Sequence, residues 1–196
     1  MTETEFREIL TIIEKWAPRG ERTTSLGARL ICPVPYIAPE AWLHALYRGL
    51  QQDDIDILQS KTALPFPNEF RSFLAFSNGA HLFANSIAIW GLRTSNARKG
   101  DEAWQPFDLE LHNRKSEKPV DRLSNILMFG SSDKGENRLF FDTSAGVESS
   151  RVGLTSRNQF NPVKYWPDFG VWLMDECRRL SDLFDSTGKP KPVLGP

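Results

Sequence analysis

Cysteine is nearly absent: the chain has two, Cys32 and Cys177, far apart in sequence. Two thiols exclude a dense disulfide framework and a four-cysteine zinc centre, which leaves two small buried hydrophobes in a reducing compartment. Histidine is scarce as well. His44, His81 and His112 make no ligand pair with one another or with a cysteine at helical or strand spacing. An excess charge of either sign is lacking, because 24 Lys and Arg stand against 25 Asp and Glu. A dedicated nucleic-acid binder draws its affinity mostly from phosphate neutralisation, and a net charge of -1 argues against one. The same balance removes a broad electrostatic case for a membrane surface. No window approaches the ~20 apolar residues that a membrane helix needs. The start, Met1-Thr2-Glu3-Thr4-Glu5, lacks the basic and apolar runs of a secretory signal. The expected location is cytoplasmic.

What is present is an ordinary globular composition, 40% hydrophobic and 25% charged over 196 residues, enough for one sizeable core. The stretch from Leu64 to Leu92 organises it. Pro65 and Pro67 precede a helix, where a missing N–H costs nothing because the first helical donors have no partner. Phe66, Phe70, Phe73 and Leu74 recur at the three-and-four spacing of one helical face. Asn78-Gly79 supplies the left-handed residues expected to stop that helix. Ile87 to Leu92 then reads as a strand buried on both faces, with Ala88, Trp90 and Leu92 on one and Ile87 and Ile89 on the other. The expected core is Leu64, Pro65, Phe70, Phe73, Leu74, Asn78, Gly79, Trp90, Phe169 and Trp172.

Other elements follow from the same patterns. Thr2 and Glu5 have capping-box spacing, which starts a helix over about Glu3 to Trp16 with Phe6, Ile9, Leu10 and Ile13 on its apolar face. Pro33 and Pro35 place Leu30–Pro35 at a sheet edge or in a loop. Trp42, Leu43, Leu46, Tyr47 and Leu50 suggest a helix from about Pro39 to Gln51. Asp53 or Asp54 caps a short helix carrying Ile55 and Leu58. Arg93 to Pro119 is long, polar and poorly patterned, and Asp108–Asn113 within it fits either a strand or a short helix. Ile126–Phe129, Leu139–Asp142 and Val147–Leu154, separated by Gly turns, read as an antiparallel meander. A closing helix runs from about Pro167 to Phe184, with Phe169, Trp172, Leu173 and Cys177 on one face. The tail from Ser186, rich in Pro, Lys and Gly, is expected to be disordered.

The order of these motifs resembles the SUKH superfamily. Leu64-Pro65, the aromatic helix and Asn78-Gly79 carry the resemblance. Phe129-Gly130-Ser131-Ser132-Asp133, Phe140-Phe141-Asp142, the turn at Gly146 and the helix with Phe169 and Leu173 continue it. It spans about Asp54 to Phe184. It implies an α+β fold, a mainly antiparallel sheet with flanking helices, and no catalytic residues, because the superfamily is described as binding other proteins. Its members include fungal regulators of cell-wall assembly and bacterial immunity proteins that neutralise toxins. The expected organisation is a helical N-terminal extension over 1–53 packed on the core, a SUKH-like domain over 54–185 and a tail over 186–196.

Sites of chemistry are weighed against that background. Asp108, Glu110 and His112 share a face only if the segment is a strand, and a solvated face explains them without a metal. Gly130 and Gly135 have the outer spacing of a phosphate loop, but Glu136 and Asn137 stand where Lys and Ser or Thr are needed. No cofactor or metal is expected. Asp101-Glu102-Ala103-Trp104 has the chemistry of an anchor for a basic partner, unless Trp104 folds back to pin its loop. Asp101, Glu102, Trp104, Asp133 and Glu136 are therefore the expected contacts for a protein partner, for instance a secreted toxin domain. The leading function is non-catalytic binding as an immunity protein that occludes a toxin. The alternatives are an intracellular scaffold or regulator without a toxin, and a hydrolase whose residues meet only on folding.

Overall fold

Thr2 starts the chain's first helix, α1 (Glu3–Ile13), through a complete capping box: its hydroxyl accepts from the Glu5 N–H, and the Glu5 carboxylate accepts from the Thr2 N–H. A 3-10 turn over Glu14–Arg19, with Pro18 inside it, ends the helical path. The computed structural model describes residues 1–62, 64–114, 125–157 and 160–192.

Nine strands follow in strict sequence order within one antiparallel sheet, among the described residues. They are β1 (Glu21–Thr23), β2 (Arg29–Pro33), β3 (Trp42–Arg48), β4 (Ser77–Leu82), β5 (Ile87–Ile89), β6 (Ile126–Ser132), β7 (Asn137–Asp142), β8 (Arg151–Ser156) and β9 (Pro162–Trp166). The helices α2 (Gln52–Thr62) and α3 (Asn68–Phe76) lie between β3 and β4. A short α4 (Leu109–Asn113) precedes β6, and α5 (Phe169–Ser181) follows β9. The fold is α+β with a mainly antiparallel sheet and flanking helices, including the N-terminal one.

The first fifty residues depart from the helical expectation. The helix expected from Pro39 to Gln51 is the strand β3. Trp42, Leu43, Leu46 and Tyr47 fit a helical stripe, but His44 and Ala45 between them are buried too. A central strand covered on both faces gives such an unbroken buried run, which periodicity does not separate from a helix. β2 is likewise not an edge, because β1 pairs outside it. Residues 1–53 are thus more than a helical extension: they contribute three strands to a sheet that passes continuously from β3 to β4.

The helical side of the sheet holds the main core. Phe70 packs against Phe129, Phe141 and Phe169 with ring centres 5.2–5.8 Å apart. Trp172 adds to Phe129 at 5.2 Å. Edge-to-face and tilted aromatic contacts of this kind each contribute about 0.5–1.5 kcal/mol beyond burial. Glu69 ties α3 to α5, since its carboxylate accepts from the N–H groups of Phe169 and Gly170 at 3.0 and 3.2 Å. Asn78-Gly79 does not stop α3. The helix ends at Phe76, Ser77 turns extended, and both residues sit in β4. Gly79 has φ +79°, and the Asn78 amide exchanges two hydrogen bonds with the Leu92 backbone, acting as a strand partner for it.

The chain beyond α5, expected to be disordered from Ser186, is tied down as far as Lys191. The Trp16 indole donates to the Asp185 carbonyl, the Tyr36 hydroxyl to the Gly188 carbonyl, and the Lys191 N–H to the Leu183 carbonyl. Residues 193–196 lie outside the described residues.

Candidate functional site

Cross-strand neighbours in an antiparallel ladder share a face. On the side away from α1, α3 and α5, one row runs Leu30, Ala45, His81, Ala88, Ser131, Arg138, Thr155. Ala88 and Ser131 are the small members in the middle. They form the floor of an open trough of about 310 Å³ walled by Ile37, Phe107, Lys134 and Gly135, with Ala84 and Asn85 at its end. Ile37 is 53% exposed and Phe107 40%, so two large apolar side chains border it in water.

Two left-handed turns frame this trough. Phe83, Ala84 and Asn85 have φ of 53°, 53° and 66°; Asp133 and Lys134 have 50° and 57°, followed by Gly135 at 95°. Phe83, Ala84 and Lys134 each cost roughly 1–2 kcal/mol there, and Asn85 and Asp133 less, since their short polar side chains suit the left-handed region. Such geometry persists only where the surroundings impose it. Here they do. The Phe83 ring is held edge-on to His44 at 4.7 Å and to Trp16 at 5.9 Å. The Phe83 N–H donates to His44 Nδ1, and the Ala84 N–H to the Leu43 carbonyl. The Asp133 N–H donates to the Ser86 carbonyl, joining one turn to the other. The Asp133 carboxylate accepts from Asn137 Nδ2 at 2.7 Å, and Arg138 donates to the Gly135 carbonyl at 3.1 Å.

Asp133 and Glu136, expected from sequence as contacts, therefore sit on the turn that walls the trough, and both are exposed. Asp101, Glu102 and Trp104 lie elsewhere. They belong to a strap over residues 91–109 that crosses the same face above β1 to β4. Its base is closed by the Gly91 N–H donating to the Phe107 carbonyl and the Leu109 N–H to the Gly91 carbonyl. Gln105 is its internal hub: the amide oxygen accepts from the Thr94 and Ser95 N–H groups, and the amide nitrogen donates to the Glu102 carbonyl. Asp101 pairs with Arg22 and accepts from the Ser25 N–H, which holds its carboxyl below the ordinary range, the Ser25 backbone bond first among the causes. Trp104 is half-buried against the cluster of Ala28, Leu30, Ala45 and Tyr47. Glu102 faces solvent. The five residues thus form two groups, and the trough residues Ile37, Ala88, Phe107 and Ser131 carry no signal in sequence beyond ordinary alternation.

The groups with catalytic potential are dispersed. His44 is enclosed and burial pulls its pKa down to about 3. His81 meets the Tyr47 hydroxyl at 2.9 Å and the Phe107 ring at 4.4 Å; burial first, then Arg93, lowers it to about 4. His112 stacks on Trp90 at 4.0 Å. Both imidazoles with lowered pKa stay neutral at pH 7, and no carboxylate contacts them among the described residues. Burial raises both thiols, Cys32 and Cys177, away from the reactive thiolate. α4 is a helix with Asp108 as its N-cap, so Asp108, Glu110 and His112 do not share a strand face. No group of three or more His, Cys, Asp or Glu able to hold a metal exists among the described residues. A larger cleft of about 390 Å³ lies beside Trp104, with Tyr47, Arg48, Asp54 and Asn78 in its lining and no His or Cys. No helix among the described residues is long and apolar enough to cross a membrane.

A comparison with curated proteins finds no match for the chain. The family described as the SMI1 / KNR4 family (SUKH-1) matches residues 49–175, which run from the end of β3 into α5 and cover α3, its aromatic core and the trough floor. With more than half of its length matched, the chain belongs to the SMI1 / KNR4 (SUKH-1) family.

Proposed function

We propose that the protein is a non-catalytic binding protein that acts as an immunity protein, neutralising a toxin domain by covering its active face. The family match is the observation that carries this reading. The geometry supports it. A recognition surface gains affinity when it is rigid before its partner arrives. The turns 83–86 and 133–136 are cross-bonded and strained, and two exposed apolar side chains stand at a trough between them. In this reading the contact face is centred on the trough, with Asp133 and Glu136 on its rim. Asp101, Glu102 and Trp104 are the outlying contacts on the strap. The chemistry is occlusion, since His44, His81 and both thiols occupy places where burial keeps them neutral and poorly reactive.

The test is co-expression with the product of the gene adjacent to its own. Protection of the cells and a purified complex are the expected results. Absence of both removes the immunity role and leaves a regulator or scaffold without a toxin. Steady-state turnover of any small molecule at the 390 Å³ cleft, lost on Asp54→Asn, would make the protein an enzyme instead.

A further inference from the structure

Lys134 walls the trough and Arg138 follows Ser131 in its floor row, and neither forms an ion pair among the described residues. Arg138 is the next residue in the row after Ser131, half-buried, with its guanidinium 5.5 Å from the Trp90 ring centre and one hydrogen bond to the Gly135 carbonyl. No carboxylate lies within ion-pair distance of Arg138, Arg157 or Lys134 among the described residues. The ion pairs that do form lie on the strap, on the helical side, and along the β1–β2 and β7–β9 edges. Burial first, then the charge of the exposed Arg157, holds Arg138 below the ordinary arginine range. The turn also carries two exposed acids: Asp133 accepts from the neutral Asn137 amide, and Glu136 projects into solvent beside Lys134. A half-buried cation without a counter-ion is costly, and an arriving anion offsets the lost hydration by Coulomb attraction and hydrogen bonding.

We infer that the trough docks a protein segment that presents an apolar side chain flanked by Asp or Glu: the apolar group enters between Ile37 and Phe107 over Ala88 and Ser131, and the carboxylates meet Lys134, Arg138 and Arg157. A volume of about 310 Å³ suits one or two side chains. The net charge of -1 speaks for a local carboxylate contact over a polyanion that tracks many cations. Acidic faces are common at hydrolytic and metal-dependent centres, where carboxylates serve as acids, bases and ligands. This deepens the binding reading above and does not require the partner to be a toxin.

The probe is a fluorescein-labelled peptide, Asp-Asp-Leu-Trp-Glu-Glu, titrated with the full chain by anisotropy. Its counterpart with Lys at every acidic position and an oligothymidylate serve as comparisons. Saturable binding of the acidic peptide is expected. The double variant Lys134→Glu/Arg157→Glu should weaken it by about tenfold or more, as expected for opposed charges brought face to face. Phe107→Ser should weaken it too. The matched change Lys15→Glu/Arg178→Glu, on the helical side, should leave it unaltered. Circular dichroism establishes that each variant is folded. Absence of saturable binding, tighter binding of the lysine peptide or of the oligonucleotide, or indifference to both trough variants overturns the inference. The co-expression assay separates the two proposals. If the wild type fails to protect, the immunity role falls and the peptide decides the trough. If the wild type and Lys134→Glu/Arg157→Glu protect equally, the trough falls and the immunity role stands.

Discussion

Glu69 shows how one side chain links two distant parts of the chain. Its carboxylate takes two N–H groups at the start of α5, which have no partner within the helix, and lies 3.7 Å from the Met1 amino group. A negative charge at that end also complements the helix dipole. Glu69→Ala strands both donors at a half-buried site and should cost about 1–3 kcal/mol. Glu69→Gln keeps an acceptor and should fall between. Urea unfolding midpoints measure the order, and equal stability of all three would refute the link. Nothing in the spacing of residues 64–70 announces this role. The proline and phenylalanine pattern marks the helix, but the partner of Glu69 is a hundred residues away. Gly153 makes the same point: a Cβ there would run into the Phe140 ring, an approach only the folded sheet creates.

At the scale of elements, the strap over 91–109 is the least legible stretch. It has little apolar patterning because it is held by polar contacts, through Gln105, through Asn78 to Leu92, and through Asp101 to Arg22 and Ser25. Hydrogen bonds between side chain and backbone leave no periodicity. β3 misleads for the opposite reason, an excess of buried residues. The strap's anchoring can be tested directly. Asp101→Ala removes its attachment to the β1–β2 turn, so trypsin should cut faster at Arg98 and Lys99 while the melting temperature changes little. An unchanged cleavage rate would place the attachment in Gln105 and Trp104 alone. α1 is readable because both halves of its capping box lie within four residues.

At the scale of the whole molecule, the buried imidazoles shape the response to acid. His44 and His81 titrate near 6.5 when unfolded and are lowered to about 3 and about 4 in the fold, by burial in each case. The unfolded state therefore binds protons first. Stability from this source is complete above about pH 6.5 and falls as the pH drops, the difference closing near 4 for His81 and near 3 for His44. A tenfold difference in proton affinity between the folded and unfolded states is worth ~1.4 kcal/mol, so the loss over this window is on the order of several kcal/mol. Carboxylates add a second limb. Glu5 is lowered chiefly by the Thr2 backbone bond and Glu21 by its bond to Arg29, and their contribution is lost as the pH falls below about 4.5. Denaturant midpoints at about pH 7.5, 6.0 and 5.0 should fall in that order, with a flatter slope for His44→Gln. A midpoint constant across that range would contradict the burial of both rings.

The amino-acid order alone settled what depends on neighbours along the chain: the capped first helix, the Pro-led aromatic helix α3, the hairpin turns of β6 to β8, and enough motif to show the resemblance to SUKH proteins. Those features arise from local backbone preference and short-period burial. Contacts across the sheet decided the rest. The three N-terminal strands and the anchored chain end rest on pairing between distant segments, and the trough exists because register sets Ala88 and Ser131 side by side with Arg138 next in the row. Register is a relation between strands far apart in sequence, and no window of one strand contains it.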